Sequence, residues 1–413
     1  MNKGLQAENI VLHSPTGSGK TDAYLLPLLH YIKPDSIGIQ GLILVPSREL
    51  AIQIEQVFRN MNTGFKVSCC YGGHLIKTEK NNFIEPPVLL IGTPGRIADH
   101  LRREHFNPDT IHLLVLDEFD KSLEMGFSDE MSYIINRLPN IKKRILTSAT
   151  RAIEIPAFTG VVNPVTLDFL GGDDQPKITV KAVRAKEKDK LDVLFRLICY
   201  LGNEPTLVFC NHREAVNRIS DLLNDMEMVH DTFHGGLEQD EREKALLKFR
   251  NGSHSLLITT DLASRGLDIP DIKNIIHYQI TPTPSVYTHR NGRTARMDAE
   301  GTAWLVLSEA EPLPSYLNGS PLYVELTQEL LPPDPPKWIT VYIGGGKKDK
   351  INKIDIVGFL IQQGRLQKED IGLIIVQDNS SFAAVNRNKV HKALAHLKDQ
   401  KLKNKKIKIE ISA

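Results

Sequence analysis

Only four cysteines occur in 413 residues, Cys69, Cys70, Cys199 and Cys210, and no pair has Cys-x-x-Cys spacing. Such scarcity supports neither a disulfide framework nor a zinc site. Long apolar runs are missing as well. Gly41-Leu-Ile-Leu-Val45 is typical of the longest, far short of the ~20 residues that cross a bilayer. No basic segment leads into an apolar one at the N-terminus, so the expectation is a soluble, cytoplasmic protein. Net charge is also small, +1, and aromatics make up 6%. What remains is an ordinary globular composition, 41% hydrophobic and 24% charged, of a length that suggests two to three domains at roughly 100–200 residues each.

The small net charge conceals an asymmetry. From Lys337 onward there are 16 Lys and Arg against 7 Asp and Glu, a net of +9, which leaves −8 on residues 1–336. Between the two lies Leu331-Pro-Pro-Asp-Pro-Pro336, whose prolines remove backbone donors and favour extended chain, as at a domain boundary. A short basic run is usually a solvated face, whereas a whole small domain this basic points to a polyanion partner.

Within the body, short apolar runs alternate with amphipathic stretches: Leu42 to Val45, Val88 to Ile91, Leu113 to Leu116 and Ile145 to Leu146. After an irregular stretch around Gly171-Gly172-Asp173-Asp174 the alternation restarts, with Leu207 to Phe209, Leu256 to Ile258, Ile275 to His277 and Ala303 to Leu307. Strands separated by helical patterns imply parallel α/β sheets, here two of them. The expected organisation is residues 1–171, 172–331 and 332–413.

The first unit holds Ser14-Pro15-Thr16-Gly17-Ser18-Gly19-Lys20-Thr21 between an apolar strand pattern, Ile10 to Leu12, and a helical one from Tyr24 to Ile32. Strand, glycine loop and helix form a phosphate cradle. Backbone N–H groups turn toward phosphate oxygens, Lys20 reaches the outer phosphates, and the Thr21 hydroxyl suits magnesium. The strict pattern asks for Gly at Ser14, so a plain glycine-rich turn is the competing reading. Val115-Leu116-Asp117-Glu118-Phe119-Asp120 puts acids at the carboxyl end of a strand, where open α/β sheets bind ligands. Asp117 would hold magnesium through water and Glu118 would orient or deprotonate the attacking water. Alone, such a pair is often only a strand leading into a helix cap.

The remaining signatures fall in one order. Pro46-Ser47-Arg48-Glu49-Leu50, Gly72-Gly73, Thr93-Pro94-Gly95-Arg96, Asp117 to Asp120 and Ser148-Ala149-Thr150 resemble the first-domain motifs of DEAD-box RNA helicases. Leu207 to Cys210, Gln239 to Arg242, Thr260 to Asp268 and His289-Arg290-Asn291-Gly292-Arg293-Thr294-Ala295-Arg296 resemble the later ones, so the likeness covers roughly residues 10–308. It implies ATP and Mg2+ as cofactors and two RecA-like domains. Arg293 and Arg296 would be arginine fingers, delocalised cations able to neutralise charge on transferring phosphoryl oxygens after closure. It further implies that His289, Ser148 and Thr150 meet near Asp120 and couple the ATP site to RNA, and that Asp268 touches the ribose. Pro46, Arg48, Gly73, Thr93 and Arg96, with Arg213 and Thr259 or Thr260, would line a track for the RNA backbone, where phosphate contacts position without reading sequence. For each arginine the alternative is a surface ion pair.

Three departures stand out. Phe119 replaces the family's Ala, and Ala295 its Gly. The adenine-reading glutamine motif lies some twenty residues before the family's P-loop, yet only nineteen residues precede Lys20, none aromatic. Either the true start lies upstream or adenine selectivity is weakened.

The basic tail reads as βαββαβ: strands at Ile339 to Ile343, Ile371 to Val376, Ser381 to Val385 and Ile407 to Ile411, helices at Ile354 to Ile361 and Val390 to Leu397. That order fits an RNA-recognition-motif fold. Only Phe382 stands where third-strand rings are expected, with Ala384 and Arg387 at the others, so base stacking on the sheet is doubtful. The run Gly344 to Lys350, Ile371-Gly372 and Lys401 to Lys408 resemble the C-terminal domain of DbpA-type helicases, which implies ribosomal RNA of the large subunit, and its precursor particles, as partners. Lys347, Lys348, Lys350, Lys401 and Lys403, with Lys405 and Lys406, are the candidate RNA contacts. The function expected is ATP-dependent unwinding of structured RNA. The runner-up is an ATP-gated RNA clamp with little turnover, and a DNA translocase is a weaker third.

Overall fold

Short, mostly apolar runs, buried along their length, become the inner strands of two parallel sheets. A computed structural model describes residues 7–15, 18–73, 76–151, 154–170, 178–264, 272–294, 300–317, 319–327 and 330–412. The chain divides into two compact units, Met1–Lys177 with Ala263–Asp268 and Ser285–Ala299, and Ile178–Leu262 with Ile269–Pro284 and Glu300–Ala413.

In the first unit β1 (Asn9–His13), β2 (Gly41–Leu44), β3 (Val67–Cys70), β4 (Leu89–Gly92), β5 (Leu113–Leu116), β6 (Lys143–Ser148) and β7 (Val165–Asp168) form one sheet. Its order is β3-β4-β2-β5-β6-β1-β7, with every ladder parallel. Helices cover both faces, which is why the central strands are continuous apolar runs. Leu42, Leu44, Leu114 and Leu116 join one core layer, and Ile43, Val45, Leu113 and Val115 the other. Each such side chain contributes about 1.5–3 kcal/mol by leaving water.

The second unit repeats the design with β8 (Ile178–Ala185), β9 (Thr206–Phe209), β10 (Asp231–Phe233), β11 (Leu256–Thr259), β12 (Asn274–His277), β13 (Gly301–Ser308) and β14 (Leu322–Tyr323). Their order is β10-β11-β9-β12-β13-β8-β14. Counted from the first strand of each sheet, the two orders are identical.

A separate four-stranded sheet lies in the same unit, with β15 (Trp338–Ile343), β16 (Ile371–Val376), β17 (Ser381–Asn386) and β20 (Ile409–Ile411) in the order β16-β17-β15-β20. Helices Lys353–Gln362 and Arg387–Leu397 pack on one face, and a hairpin, β18 (Lys401–Leu402) with β19 (Lys405–Lys406), precedes β20. The other face is not open along its centre. Asn251 Nδ2 donates to Thr340 Oγ1 at 2.8 Å, and Thr340 Oγ1 donates to Ser253 Oγ at 2.9 Å, all three buried. Trp338 lies against Gly372, and Ala384 is fully buried. Phe382 is 5% exposed and meets Tyr342 edge-on at 5.5 Å.

The four cysteines are free thiols. Among the described residues no helix is long and apolar enough to cross a membrane.

Candidate active site

Chemistry gathers at the carboxyl ends of β1, β5 and β6. Ser14, directly after β1, ties to β6 through Ser14 N–H to the Ser148 carbonyl, 3.0 Å. Its hydroxyl lies 2.5 Å from that of Ser18, and Ser18 donates its own proton to the Pro15 carbonyl at 2.7 Å. Ser14 therefore serves the loop's shape. Gly19, at φ 83°, takes the left-handed turn that glycine adopts without strain and starts helix Lys20–Tyr31. Lys20 is 8% exposed, and its Nζ has no hydrogen-bond partner among the described residues. Thr21 is half-buried beside it. Thr16 and Gly17 lie outside the described residues.

Asp117, Glu118 and Asp120 are buried at 3%, 5% and 0% exposure. Glu118 sits at φ 48°, ψ 48°, a left-handed backbone that a non-glycine residue holds only where its surroundings fix it. Burial raises its carboxyl above the ordinary range, against the pull of Lys20 and Arg293. Burial raises Asp120 too. Among the described residues, Glu118 Oε2 and Asp120 Oδ1 are buried without hydrogen-bond partners, as is Lys20 Nζ. Uncompensated charge of both signs in one buried place is costly unless something polar fills it, and a nucleotide phosphate with a divalent cation has the matching charges. Phe119 turns away from this cluster, 1% exposed in the apolar layer with Leu116, Met131 and Leu146. Its bulk is core and does not crowd the acids.

Thr150 Oγ1 donates to Asp120 Oδ2 at 3.4 Å, with Ser148 also bonded to that carboxyl. In the same unit, helix Pro284–Asn291 brings His289 Nε2 to 3.8 Å from Asp120 Oδ2. His289 Nδ1 faces the Ser285 carbonyl at 2.7 Å and so carries the proton. Burial and nearby cations push its pKa well below the usual value, leaving a neutral ring. Lys121, 2% exposed, bonds Glu124 at 2.5 Å and Ser285 Oγ at 3.1 Å. Arg293 is 2% exposed, its charge close enough to act on Glu118 and His289. Arg296, Ala295 and Asp268 lie outside the described residues.

Of the expected RNA track, Pro46 is buried before the Ser47 cap of helix Arg48–Asn60. Arg48 fills the space beside Gly72 and Gly73: a Cβ on Gly73 would stand 2.8 Å from Arg48 Nη1, and Gly73 has φ +105°. Thr93 caps helix Pro94–Arg102, whose Arg96 donates to Glu79 Oε2 at 2.6 Å. Arg213 is exposed and pairs with Glu214 at 3.0 Å. Thr259 is the alternative to Thr260 on that track. It is fully buried, donating to the Phe233 and Thr260 carbonyls, because it ends an inner strand. Thr260, half-buried, stays at the surface. In the tail Lys347, Lys348, Lys350 and Lys401 are exposed. Lys403, Lys405 and Lys406 engage Asp355, Asp349 and Asp399 at 2.7, 2.8 and 3.0 Å, surface pairs that a phosphate could displace.

Sequence reasoning missed Glu79, Tyr24 and Thr147. Glu79, 4% exposed, accepts from Tyr71 N–H at 3.2 Å, Arg96 Nε and His100 Nε2 at 2.7 Å, while His100 Nδ1 shares a hydrogen bond with His105 Nδ1 at 2.8 Å. Burial would raise its carboxyl, but bonds from His100 and Arg96 outweigh that and hold it below the ordinary range. Cys70 adds a third metal-type donor to Glu79 and His100. Burial pushes its thiol up, and Glu79 is already neutralised by Arg96, so the group reads as a closed polar network. Tyr24 and Thr147 both bond Asp117. Nothing in their spacing marks them, since Tyr24 falls among the apolar positions of its helix and Thr147 at the end of an apolar strand.

Comparison with known proteins agrees with this arrangement. Residues 1–157 match the DEAD/DEAH box helicase model, 189–298 the helicase conserved C-terminal domain and 340–411 the DbpA RNA binding domain. The chain is 32% identical to ATP-dependent RNA helicase DbpA of Escherichia coli, over 98% of this chain and 92% of that one. It is 28% identical to the Bacillus subtilis protein of that name, over 98% and 91%. Among solved structures, S. cerevisiae Dbp5 bound to RNA and ADP BeF3 superposes with a TM-score of 0.65 at 28% identity, covering 73% of this chain and 80% of that one. With the P-loop, the buried acids and all three matched segments in order along one chain, this protein belongs to the DEAD-box helicases that carry a DbpA RNA binding domain.

Proposed function

We propose that the protein is an ATP-dependent RNA helicase that opens structured RNA, with ribosomal RNA and large-subunit precursor particles as its targets. One observation carries the nucleotide half: Lys20, Glu118 and Asp120 present buried polar atoms, unpartnered among the described residues, around the carboxyl ends of β1 and β5. In this reading the P-loop from Ser14 to Lys20, with Thr16, Gly17, Ser18 and Gly19, holds the phosphates, and Asp268 takes the ribose. Thr21 and, through water, Asp117 hold magnesium, which would neutralise charge on the outer phosphate oxygens when bound.

Glu118 orients the attacking water and accepts its proton, a role its raised pKa suits. Arg293 and Arg296 oppose charge on the transferring phosphoryl group. Asp120, Ser148, Thr150 and His289 connect this centre to the RNA track of Pro46, Arg48, Gly73, Thr93, Arg96, Arg213 and Thr260. The boundaries after residues 171 and 331 separate two RecA-like domains from the tail. In the tail the covered sheet face favours binding by lysines, with Lys347, Lys348, Lys350, Lys401 and Lys403 taking phosphates. A ribosomal RNA target places the protein in the cytoplasm. Steady-state phosphate release with and without a ribosomal RNA fragment tests the reading: strong stimulation by RNA is expected, and turnover indifferent to RNA contradicts it.

A further inference from the structure

Asp117, the proposed magnesium-side carboxylate, is not held by backbone alone. Its Oδ2 accepts the Tyr24 hydroxyl at 2.9 Å, and its Oδ1 accepts the Thr147 hydroxyl and the Glu118 N–H, the latter at 3.1 Å. Thr147 Oγ1 itself accepts from Glu118 N–H at 3.0 Å. Both hydroxyls are sealed from water, Tyr24 at 1% and Thr147 at 0% exposure.

Packing does not require either oxygen. Tyr24 lies in an apolar layer with Leu25, Leu28 and Ile43, where phenylalanine would fill nearly the same volume, and a hydroxyl buried there costs free energy unless it is bonded. Its partners are Asp117 and Thr21, the two residues assigned to the cation. Thr147 approaches from the end of β6, one residue before Ser148. A carboxylate has about four lone-pair sites. Three donors therefore fix its plane and still leave an oxygen direction for a cation-bound water.

We propose that Tyr24 and Thr147 are positioning residues whose hydroxyls clamp the Asp117 carboxylate for magnesium, so that they set how strongly nucleotide binding in this chain depends on the cation. The inference rests on the nucleotide reading above. Hydrogen bonds from outside a metal's own ligands typically change metal affinity by 10- to 100-fold when removed, and a partly redundant clamp belongs at the low end.

The test uses the full chain and a fluorescent N-methylanthraniloyl ADP probe, titrated with magnesium chloride and separately bound in EDTA. Tyr24→Phe and Thr147→Val are each expected to raise the magnesium midpoint about tenfold, with probe affinity in EDTA as in the unmodified protein. Thr147→Ser, which keeps the hydroxyl, should restore the original midpoint. Equal affinity in EDTA shows that the fold has survived. An unchanged or lowered midpoint in both variants, or a serine variant as shifted as the valine one, overturns the clamp while leaving the nucleotide reading intact. Failure of the unmodified chain to bind the probe under either condition overturns that reading and the clamp with it.

Discussion

The two seven-stranded sheets share one strand order, yet among the described residues the buried, unpartnered lysine and carboxylates of the proposed nucleotide site stand in the first. After its first strand the chain runs to Lys20, the opening residue of a helix, whose buried Nζ has no hydrogen-bond partner among the described residues. After the first strand of the second sheet a lysine again stands at a helix start. This one, Lys190, gives its Nζ to the Val306 carbonyl at 2.9 Å and to both Glu311 oxygens at 3.1 and 2.9 Å. Following the fifth strand, Asp117-Glu118 stand against Tyr278-Gln279, where Gln279 accepts the Asn211 N–H at 2.7 Å and burial pushes Tyr278 up to about 12. The shared topology supplies the place, and the residues decide whether it is left charged and unsatisfied or closed into structure.

The sharpest way to break this contrast is to remove both lysines in turn. Lys20→Ala should abolish RNA-stimulated ATP hydrolysis, while Lys190→Ala should keep ATP affinity and lose about 2 kcal/mol of stability, the scale of a charge-assisted hydrogen bond. Nucleotide titration and thermal unfolding of the two variants decide it. Loss of nucleotide binding in Lys190→Ala would contradict the division of roles.

Glu118 sharpens the same point through pH. Removing a general base costs roughly 10²- to 10⁴-fold in turnover, so Glu118→Gln should bind ATP without turning it over. It should also be more stable. Because the folded pKa is raised, the ionised carboxylate destabilises the fold above that pKa, and the penalty fades as pH falls through it. Unfolding temperatures should show the variant's advantage at neutral pH and its loss in acid.

Smaller effects are expected away from the phosphates. Glu79→Ala frees Arg96 and should raise the RNA concentration for half-maximal ATPase about tenfold, equivalent to ~1.4 kcal/mol, with maximal rate little changed and Glu79→Gln intermediate. In the tail, replacing Lys347, Lys348 and Lys350 by alanine should lower the salt slope of RNA binding by about 0.7 for each phosphate that is no longer neutralised. Phe382→Leu, altering a covered ring, should leave the slope as it was.

Legibility followed the same division. Leu113 to Leu116 announced a strand because burial on both faces demands an unbroken apolar run. Val165–Asp168 and Leu322–Tyr323 did not, since edge strands are half exposed or wholly so and carry no such run. The P-loop and the acids were readable from spacing, whereas Tyr24 looked like one more apolar position of its helix until its hydroxyl was found against Asp117. Thr259 shows the converse. Its hydroxyl looked available in the sequence, and the end of an inner strand took it up.

Helicase and ATP-gated clamp differ most plainly in a single assay: steady-state phosphate release by the full chain, with strand displacement followed on a duplex beside a structured ribosomal RNA fragment. The account predicts RNA-stimulated turnover and ATP-dependent displacement, both lost in Glu118→Gln. Closure on RNA with a non-hydrolysable analogue but negligible phosphate release by the unmodified protein would contradict it.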